Sequence, residues 1–115
     1  DAYLAHILAE LRFLQALPPF ADGAALRTDA VQSRAVVRSL EIIGEAASKI
    51  DPEYRAAHAH VPWRRIIALR NRLIHEYMGV NYNIVVDVLT SEVPRLIEQL
   101  EGLVPDDYPT QNVDE

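Results

Sequence analysis

The sequence predicts an all-α fold, an up-and-down helical bundle of about five helices. Half of its 115 residues are apolar and only 7% are aromatic, a balance typical of helical bundles rather than of β-sandwiches. Apolar residues recur at intervals of three and four, which is the period of an amphipathic helix. Prolines and glycines divide the chain into helical segments with short connections, and short connections place consecutive helices antiparallel.

The first helix is predicted over residues 2–17, because leucines recur along one face and the Pro18-Pro19 pair cannot continue a helix. A loop that contains Asp22 and Gly23 is predicted to follow it.

The second helix is predicted to be the longest, with Thr28 or Asp29 as its N-cap and an end near Ile50. Its apolar stripe consists of Val36, Leu40, Ile43, Ala47 and Ile50. Gly44 is one of several small residues on this helix, and small residues let a neighbouring helix approach closely.

Two further segments begin at prolines. Asp51-Pro52 is typical of an N-cap followed by a first-turn proline, and predicts a short third helix to about His58. Pro62 opens a fourth helix, for which Gly79 is a suitable C-cap.

The last helix is predicted over residues 83–101, with Pro94 interrupting or kinking it. The helical domain therefore spans residues 1–104. Residues 105–115 are polar, acidic and contain two prolines, so we expect a flexible tail that is mobile or docks on a partner.

The composition excludes several classes of protein. There are no cysteines, which removes a disulfide framework, a thiolate zinc site and a cysteine nucleophile. No apolar run approaches the roughly 18 residues that a membrane-spanning helix needs, and no secretory signal pattern opens the sequence. We therefore expect a cytoplasmic protein.

The net charge of −6 is unevenly distributed along the chain. Six acids and no base follow Arg95, whereas residues 54–75 contain five arginines, three histidines and no acid. A local positive field of this kind can attract phosphate groups whatever the net charge. A solvated basic face with no ligand is the alternative.

The stretch "LRNRLIHEY", residues 69–77, places an arginine among apolar residues. On the fourth helix, which is predicted to run to about Gly79, Arg70 lies at the middle of an apolar arc. That arc consists of Trp63, Ile66, Ile67, Leu73, Ile74 and Tyr77. A buried guanidinium is costly without a partner, so Arg70 either pairs with an acid such as Glu41 or Glu45, or faces a cleft or a subunit interface.

Polar residues lie close to Arg70 in the sequence. On a continuous helix Asn71 and His75 share a face, and Tyr77 lies about 10 Å from Arg70 along the axis. These residues lack metal-ligand spacing, and His58-x-His60 is only a weak metal signal, so no metal or other cofactor is expected.

The chemistry that remains is metal-free acid-base catalysis at a phosphodiester. A histidine can exchange protons with the ribose and leaving-group oxygens while arginine stabilises the phosphorane-like transition state. A two-fold dimer would supply the second histidine that such a reaction needs.

These residues resemble a known family. "RNRLIHEY" resembles the signature of the HEPN superfamily. The segments "SLEIIGEAASKI", "VPWRRIIALRNRLIHEYMGVN" and "IVVDVLTSEVPRLIEQL" are similar, in that order, to the HepT-like toxin family. The resemblance covers residues 2–103. It departs from the family at Ala68, where glycine is frequent, and at Val86, where tryptophan is frequent.

The resemblance implies a helical homodimer that acts on RNA as a metal-independent endoribonuclease toxin. By motif position, Arg70 and His75 are catalytic, and Asn71 positions the phosphate or the imidazole. Tyr77 matches the tyrosine that a partner antitoxin, a minimal nucleotidyltransferase (MNT-type), adenylylates to silence the toxin.

Arg64, Arg65 and Arg72 are expected to contact RNA. Two alternatives stay open: a non-catalytic nucleotide- or RNA-binding dimer, and a structural dimer that docks its nucleotidyltransferase partner through the basic face or the acidic tail.

Overall fold

α-Helices and one π-helical turn make up most of the residues that the computed structural model describes, which are 2–75 and 79–105. The elements are α1 (Ala2–Gln15), α2 (Gly23–Thr28), α3 (Ala30–Ser48), α4 (Pro52–Ala57), α5 (Trp63–Ile67), α6 (Leu69–Leu73), β1 (Ile74–His75), β2 (Gly79–Val80), α7 (Tyr82–Asp87), a π-helical turn (Val88–Glu92) and α8 (Val93–Glu101). The all-α prediction is confirmed. The predicted tail lies, from residue 106 onward, outside the described residues.

The core forms where α1 packs against both α3 and α8. α1 contributes six buried residues, Leu4, Ala5, Ile7, Leu8, Leu11 and Leu14, so the predicted leucine face points inward. Burial of such side chains is the main favourable term in folding, at about 1.5–3 kcal/mol for each one. None of the described helices has both the length and the apolar character required to cross a bilayer.

The long helix α3 begins where its cap predicts. The Asp29 carboxylate accepts a hydrogen bond from the Gln32 backbone N–H at 2.9 Å, which satisfies a donor that has no partner inside the helix. Gly44 lies on the face of α3 against which α5 packs. A Cβ at this position would lie 3.1 Å from the Ile66 carbonyl oxygen, so the close approach expected at Gly44 is confirmed.

The loop predicted around Asp22 is partly helical, and the prediction was wrong for residues 23–28. α2 has only 6 residues, too few for apolar periodicity to identify it. Its stability comes from tertiary contacts and a cap: Leu26 is fully buried, and Asp22 accepts a hydrogen bond from the Ala25 N–H at 2.9 Å.

The third helix is confirmed as α4, with Asp51 as its N-cap and Pro52 in its first turn. The fourth predicted helix is wrong beyond Leu73. It is broken at Ala68 into α5 and α6, and Ile74, His75 and Gly79, which the prediction placed in the helix, lie in the β1–β2 pair, in which His75 faces Gly79.

Local backbone geometry explains this early end. Gly79 has a φ of +73°, in the left-handed region that glycine adopts without steric cost. The Asn81 N–H donates to the Leu73 carbonyl at 2.7 Å, which draws the chain back across the end of α6.

The last helix is interrupted where Pro94 predicted. Proline has no N–H to donate to the Thr90 carbonyl four residues earlier. The preceding turn widens instead, and the Val93 N–H donates to the carbonyl of Val88, five residues back. The π-helical turn thus accommodates Pro94, and its Glu92 contacts Arg65 of α5 and Arg72 of α6.

Candidate active site

Arg70 lies on the surface of α6, which corrects the prediction that it occupies the centre of a buried stripe. The buried positions on α5 and α6 are Trp63, Ile66, Leu69 and Leu73. Leu69 takes the inward place, because burying an isobutyl group is favourable and burying a guanidinium is costly. The side chain of Arg70 is 62% exposed as a result.

The partner predicted for Arg70 is present. Its Nε donates to Oε2 of Glu41 on α3 at 3.3 Å. An ion pair as exposed as this one contributes little to stability. The two terminal nitrogens of the guanidinium make no hydrogen bond to any residue in the described ranges, so the planar edge that binds phosphate or carboxylate best is available.

Asn71 follows Arg70 on α6 and is also exposed. His75, in contrast, lies on β1, so the prediction that Asn71 and His75 share one helical face was wrong. The β1–β2 pairing holds the backbone of His75 opposite Gly79. The side chain of His75 and all of Tyr77 lie outside the described part of the structure.

A cluster of three charged residues behind α6 was not predicted from the sequence. Glu92, in the π-helical turn, accepts two hydrogen bonds from Arg72, at 3.2 and 2.8 Å. Arg65 approaches the same carboxylate at 3.2 Å. Glu92 is separated from these arginines by 20 or more residues, and nothing in the local sequence signals such a pairing.

The cluster shifts the ionisation of its members. The hydrogen bonds from Arg72 lower the pKa of Glu92 below its ordinary value of 4.5, partial burial opposes that change, and Arg65 lowers the pKa further. The hydrogen bond to Glu92 likewise raises the pKa of Arg72. Both groups are charged at neutral pH, and Arg72 is already engaged with a protein carboxylate.

A second basic surface lies between α4 and α5. A cleft of about 500 Å³ is lined by Arg55, Arg64 and Arg65 together with Trp63. Arg64 is exposed and has no ion-pair partner among residues 2–75 and 79–105. Of the three arginines expected to contact RNA, Arg64 is therefore the one whose charge is least neutralised.

His58 and His60 at this end of the molecule are engaged with aromatic neighbours. The His58 ring stacks on Tyr54 with centroids 4.2 Å apart, and meets the edge of His60 at 6.3 Å. Within the described ranges, no group of three or more histidine or acidic side chains could hold a metal ion.

Comparison with known proteins places this geometry in context. A family model described as "Ribonuclease HepT-like" matches residues 7–103. "Putative RNase TTE0752" of Caldanaerobacter subterraneus subsp. tengcongensis is 43% identical over 102 residues, which are 89% of this chain and 91% of that protein. "Probable ribonuclease HepT" of Thermococcus cleftensis is 38% identical over 69 residues, 60% of this chain and 63% of that protein.

A longer relative contains the same region. "Gamma-glutamylcyclotransferase and putative RNase MJ0434" of Methanocaldococcus jannaschii is 31% identical over 98 residues, which are 85% of this chain but only 44% of that protein. No solved structure matches the chain. The family match spans most of the sequence and includes α3, α5, α6 and the arginine and histidine of "RNRLIH": the chain belongs to the HepT-like ribonuclease family.

Proposed function

We propose that this protein is a metal-independent endoribonuclease and the toxin of a toxin-antitoxin pair, with Arg70, Asn71 and His75 as its catalytic residues. Besides family membership, the exposure of Arg70 supports the proposal. Arg70 is exposed on α6, and among the described residues only its Nε is engaged, by Glu41, so its terminal nitrogens can form a bidentate contact with a phosphate.

The reaction is an internal transesterification. A neutral His75 takes the proton of a ribose 2′-hydroxyl, the 2′-oxygen attacks the adjacent phosphorus, and the bond from phosphorus to the 5′-oxygen breaks. A protonated second imidazole gives its proton to that oxygen, which leaves a 2′,3′-cyclic phosphate and a 5′-hydroxyl. Arg70 stabilises the negative charge on the phosphorane-like transition state.

A single chain has one His75, so the second imidazole comes from a homodimer in which the two motif surfaces face each other. Asn71, next to Arg70 on α6, is placed to donate its amide N–H to the same phosphate or to orient the imidazole. The opposed pair of arginines forms a cationic cleft along the two-fold axis.

RNA cleavage in excess EDTA tests the proposal. The unmodified chain is expected to cut RNA and leave 2′,3′-cyclic phosphate ends, and His75→Ala is expected to lose activity by about 10²–10⁴-fold. His60→Ala is the matched control, because His60 is exposed and lies outside the motif. Cleavage retained by a folded, dimeric His75→Ala variant would remove His75 from the mechanism.

Silencing by a nucleotidyltransferase antitoxin completes the proposal. Transfer of AMP to Tyr77 adds bulk and a negative phosphodiester two residues after His75, which opposes the binding of RNA phosphates. Incubation with the antitoxin and ATP should add one or more AMP units to the Tyr77 peptide, detected by mass spectrometry, and stop cleavage. Tyr77→Phe should stay unmodified, and modification at another residue would refute the assignment.

A non-catalytic RNA-binding dimer is the second candidate, favoured by the basic cleft around Arg55 and Arg64. In that case the purified chain binds RNA with no turnover, and Arg64→Ala weakens binding more than His75→Ala does. Turnover by the parent chain eliminates this candidate.

A further inference from the structure

A cleft on the other side of the motif has no role in the function proposed above. It has a volume of about 610 Å³ and opens between α2 and the segment that leads from β2 into α7. Asp22, Arg27, Gly79, Asn81, Tyr82 and Asn83 line it, and we name it the α2–α7 cleft. Its volume is within the range of sites that hold small organic ligands.

The walls of the α2–α7 cleft are fixed to each other. The Gly23 N–H donates to Oδ1 of Asn83 at 3.0 Å, and a Cβ at Gly23 would overlap the backbone of Tyr82 and Asn83. Only glycine permits this close junction between α2 and α7. A cleft with walls held in this way needs little reorganisation when a ligand binds.

The hydrogen bonds within the walls determine which polar groups a ligand can use. Oδ1 of Asn83 accepts from Gly23, and Oδ1 of Asn81 accepts from the Ile84 N–H. Among residues 2–75 and 79–105 neither side-chain amide nitrogen has an acceptor, so both can donate to a ligand. Asp22 uses one carboxylate oxygen to accept from Ala25, and its second oxygen is left as an acceptor.

A cation and an aromatic ring also line the α2–α7 cleft. Arg27 is exposed and has no ion pair or hydrogen bond from its side chain to any residue in the described ranges. Tyr82 is partly buried against the hydrophobic core and also lines the cleft. A cation for a phosphate, an aromatic platform for a base, and both donors and acceptors for base edges are what a nucleotide requires.

The charge balance favours a nucleotide over a bare anion. Asp22 opposes Arg27 within the same cleft, so the site is close to neutral and would attract inorganic phosphate only weakly. A nucleobase gains from the carboxylate acceptor as well as from the amide donors, because its edge carries both kinds of group.

The α2–α7 cleft also adjoins the motif. Gly79 lines the cleft and is the strand partner of His75, which separates their Cα atoms by about 5 Å. We infer that the α2–α7 cleft binds one nucleotide of the RNA strand beside the scissile phosphate, with its phosphate on Arg27 and its base on Tyr82. The link to the scissile phosphate rests on the proposed nuclease function, whereas nucleotide binding itself does not.

Calorimetric titration of the full chain with each nucleoside 5′-monophosphate, and separately with inorganic phosphate, tests the site. At least one nucleotide should bind about tenfold more tightly than phosphate. Arg27→Ala and Tyr82→Leu should each lower the affinity for that nucleotide by about tenfold, since each removes a contact worth about 1.4 kcal/mol. Leucine at position 82 keeps the apolar packing and removes the stacking surface.

Arg34→Ala is the matched control, because Arg34 is an exposed arginine on α3 whose guanidinium, within the described part of the chain, donates only to the Ala30 carbonyl. It should leave nucleotide affinity within about twofold. An equal loss of affinity in Arg34→Ala and Arg27→Ala would mean that Arg27 acts only through general charge attraction, and would refute the proposed site. The proposed site would also be refuted if none of the four nucleotides bound, or if Arg27→Ala and Tyr82→Leu both left the affinity unchanged.

Steady-state RNA cleavage separates the two proposals. If both hold, Arg27→Ala raises KM about tenfold and leaves kcat within about threefold, because Arg27 does not touch the reacting atoms. Nucleotide binding that depends on Arg27, in a chain that cuts no RNA, supports the site and refutes the nuclease. Efficient cleavage with KM unchanged in Arg27→Ala supports the nuclease and overturns the site.

Discussion

Replacing Glu92 with glutamine is expected to lower the free energy of unfolding by about 1–2 kcal/mol at neutral pH. The Glu92 side chain is only 19% exposed and that of Arg72 27%, so their two hydrogen bonds are partly shielded from water. Hydrogen bonds to charged groups of this kind contribute about 1.5–3 kcal/mol, and the more exposed Arg65 adds less than about 1 kcal/mol. Glutamine retains one acceptor oxygen and so keeps one of the two hydrogen bonds from Arg72. Partial exposure reduces the contribution of the hydrogen bond that is lost to about 1–2 kcal/mol.

The effect should depend on pH in a defined direction. The pKa of Glu92 in the folded protein lies below its ordinary value of 4.5. A carboxyl group with a lowered pKa stabilises the fold above its unfolded-state pKa, and this contribution is lost as the pH falls through the folded-state pKa. The stability difference between the parent and Glu92→Gln should therefore be largest near neutral pH and shrink below the ordinary value. The raised pKa of Arg72 keeps the guanidinium charged throughout.

Thermal unfolding followed by far-UV circular dichroism measures the difference, which corresponds to about 4–8 °C in Tm for a chain of this size. Glu98→Gln is the matched control, because Glu98 is an exposed acid on α8 with no ion pair among the described residues. A Tm loss of equal size in Glu98→Gln, or a difference that does not change between neutral and acidic pH, would refute a specific role for Glu92.

Three backbone predictions follow, each measured by urea denaturation. Gly44→Ala should cost about 1–3 kcal/mol, because the new Cβ meets the Ile66 carbonyl at 3.1 Å, whereas Gly102→Ala, with open space around it, should not destabilise. Gly79→Ala should lower the free energy of unfolding by about 1–2 kcal/mol through its φ of +73° alone. No change in that free energy would contradict the β1–β2 pairing that requires this φ. Asp29→Ala should cost about 1 kcal/mol by removing the N-cap of α3, while Asp29→Asn, which can still cap, should cost less.

The elements that the sequence predicted well are those specified by local chemistry. Asp29 and Asp51 cap α3 and α4 as expected, because an N-cap requires only a short polar side chain at one position. Pro94 interrupts the last helix because a missing N–H acts within one turn. The pairing of Arg70 with Glu41 was one of the predicted alternatives and is present, but the reason given for it, burial of Arg70 among apolar residues, was wrong.

The elements that were missed depend on contacts distant in sequence. α2 is held by burial of Leu26 and by the junction of Gly23 with Asn83, 60 residues away. The end of α6 at Leu73 depends on the return of the chain through Gly79. The continuous helix assumed for residues 62–79 gave the wrong direction for Arg70, since the break at Ala68 lets Leu69 turn inward.

The two arginines on α6 have different roles: Arg72 stabilises the helix through an ion pair, and Arg70 is exposed to a ligand. Arg72 is bound by two hydrogen bonds to a partly buried carboxylate, and its pKa is raised, so it is committed to the fold. Arg70, two residues earlier, donates to Glu41 through Nε and is mostly exposed. A helix of 5 residues is not stable by itself, so the cluster of Arg72 with Glu92 fixes the position from which Arg70 and Asn71 reach a ligand. Glu92 therefore links the π-helical turn to the proposed catalytic surface. If Glu92 no longer held Arg72, α6 would loosen and Arg70 would be displaced although its side chain is still present.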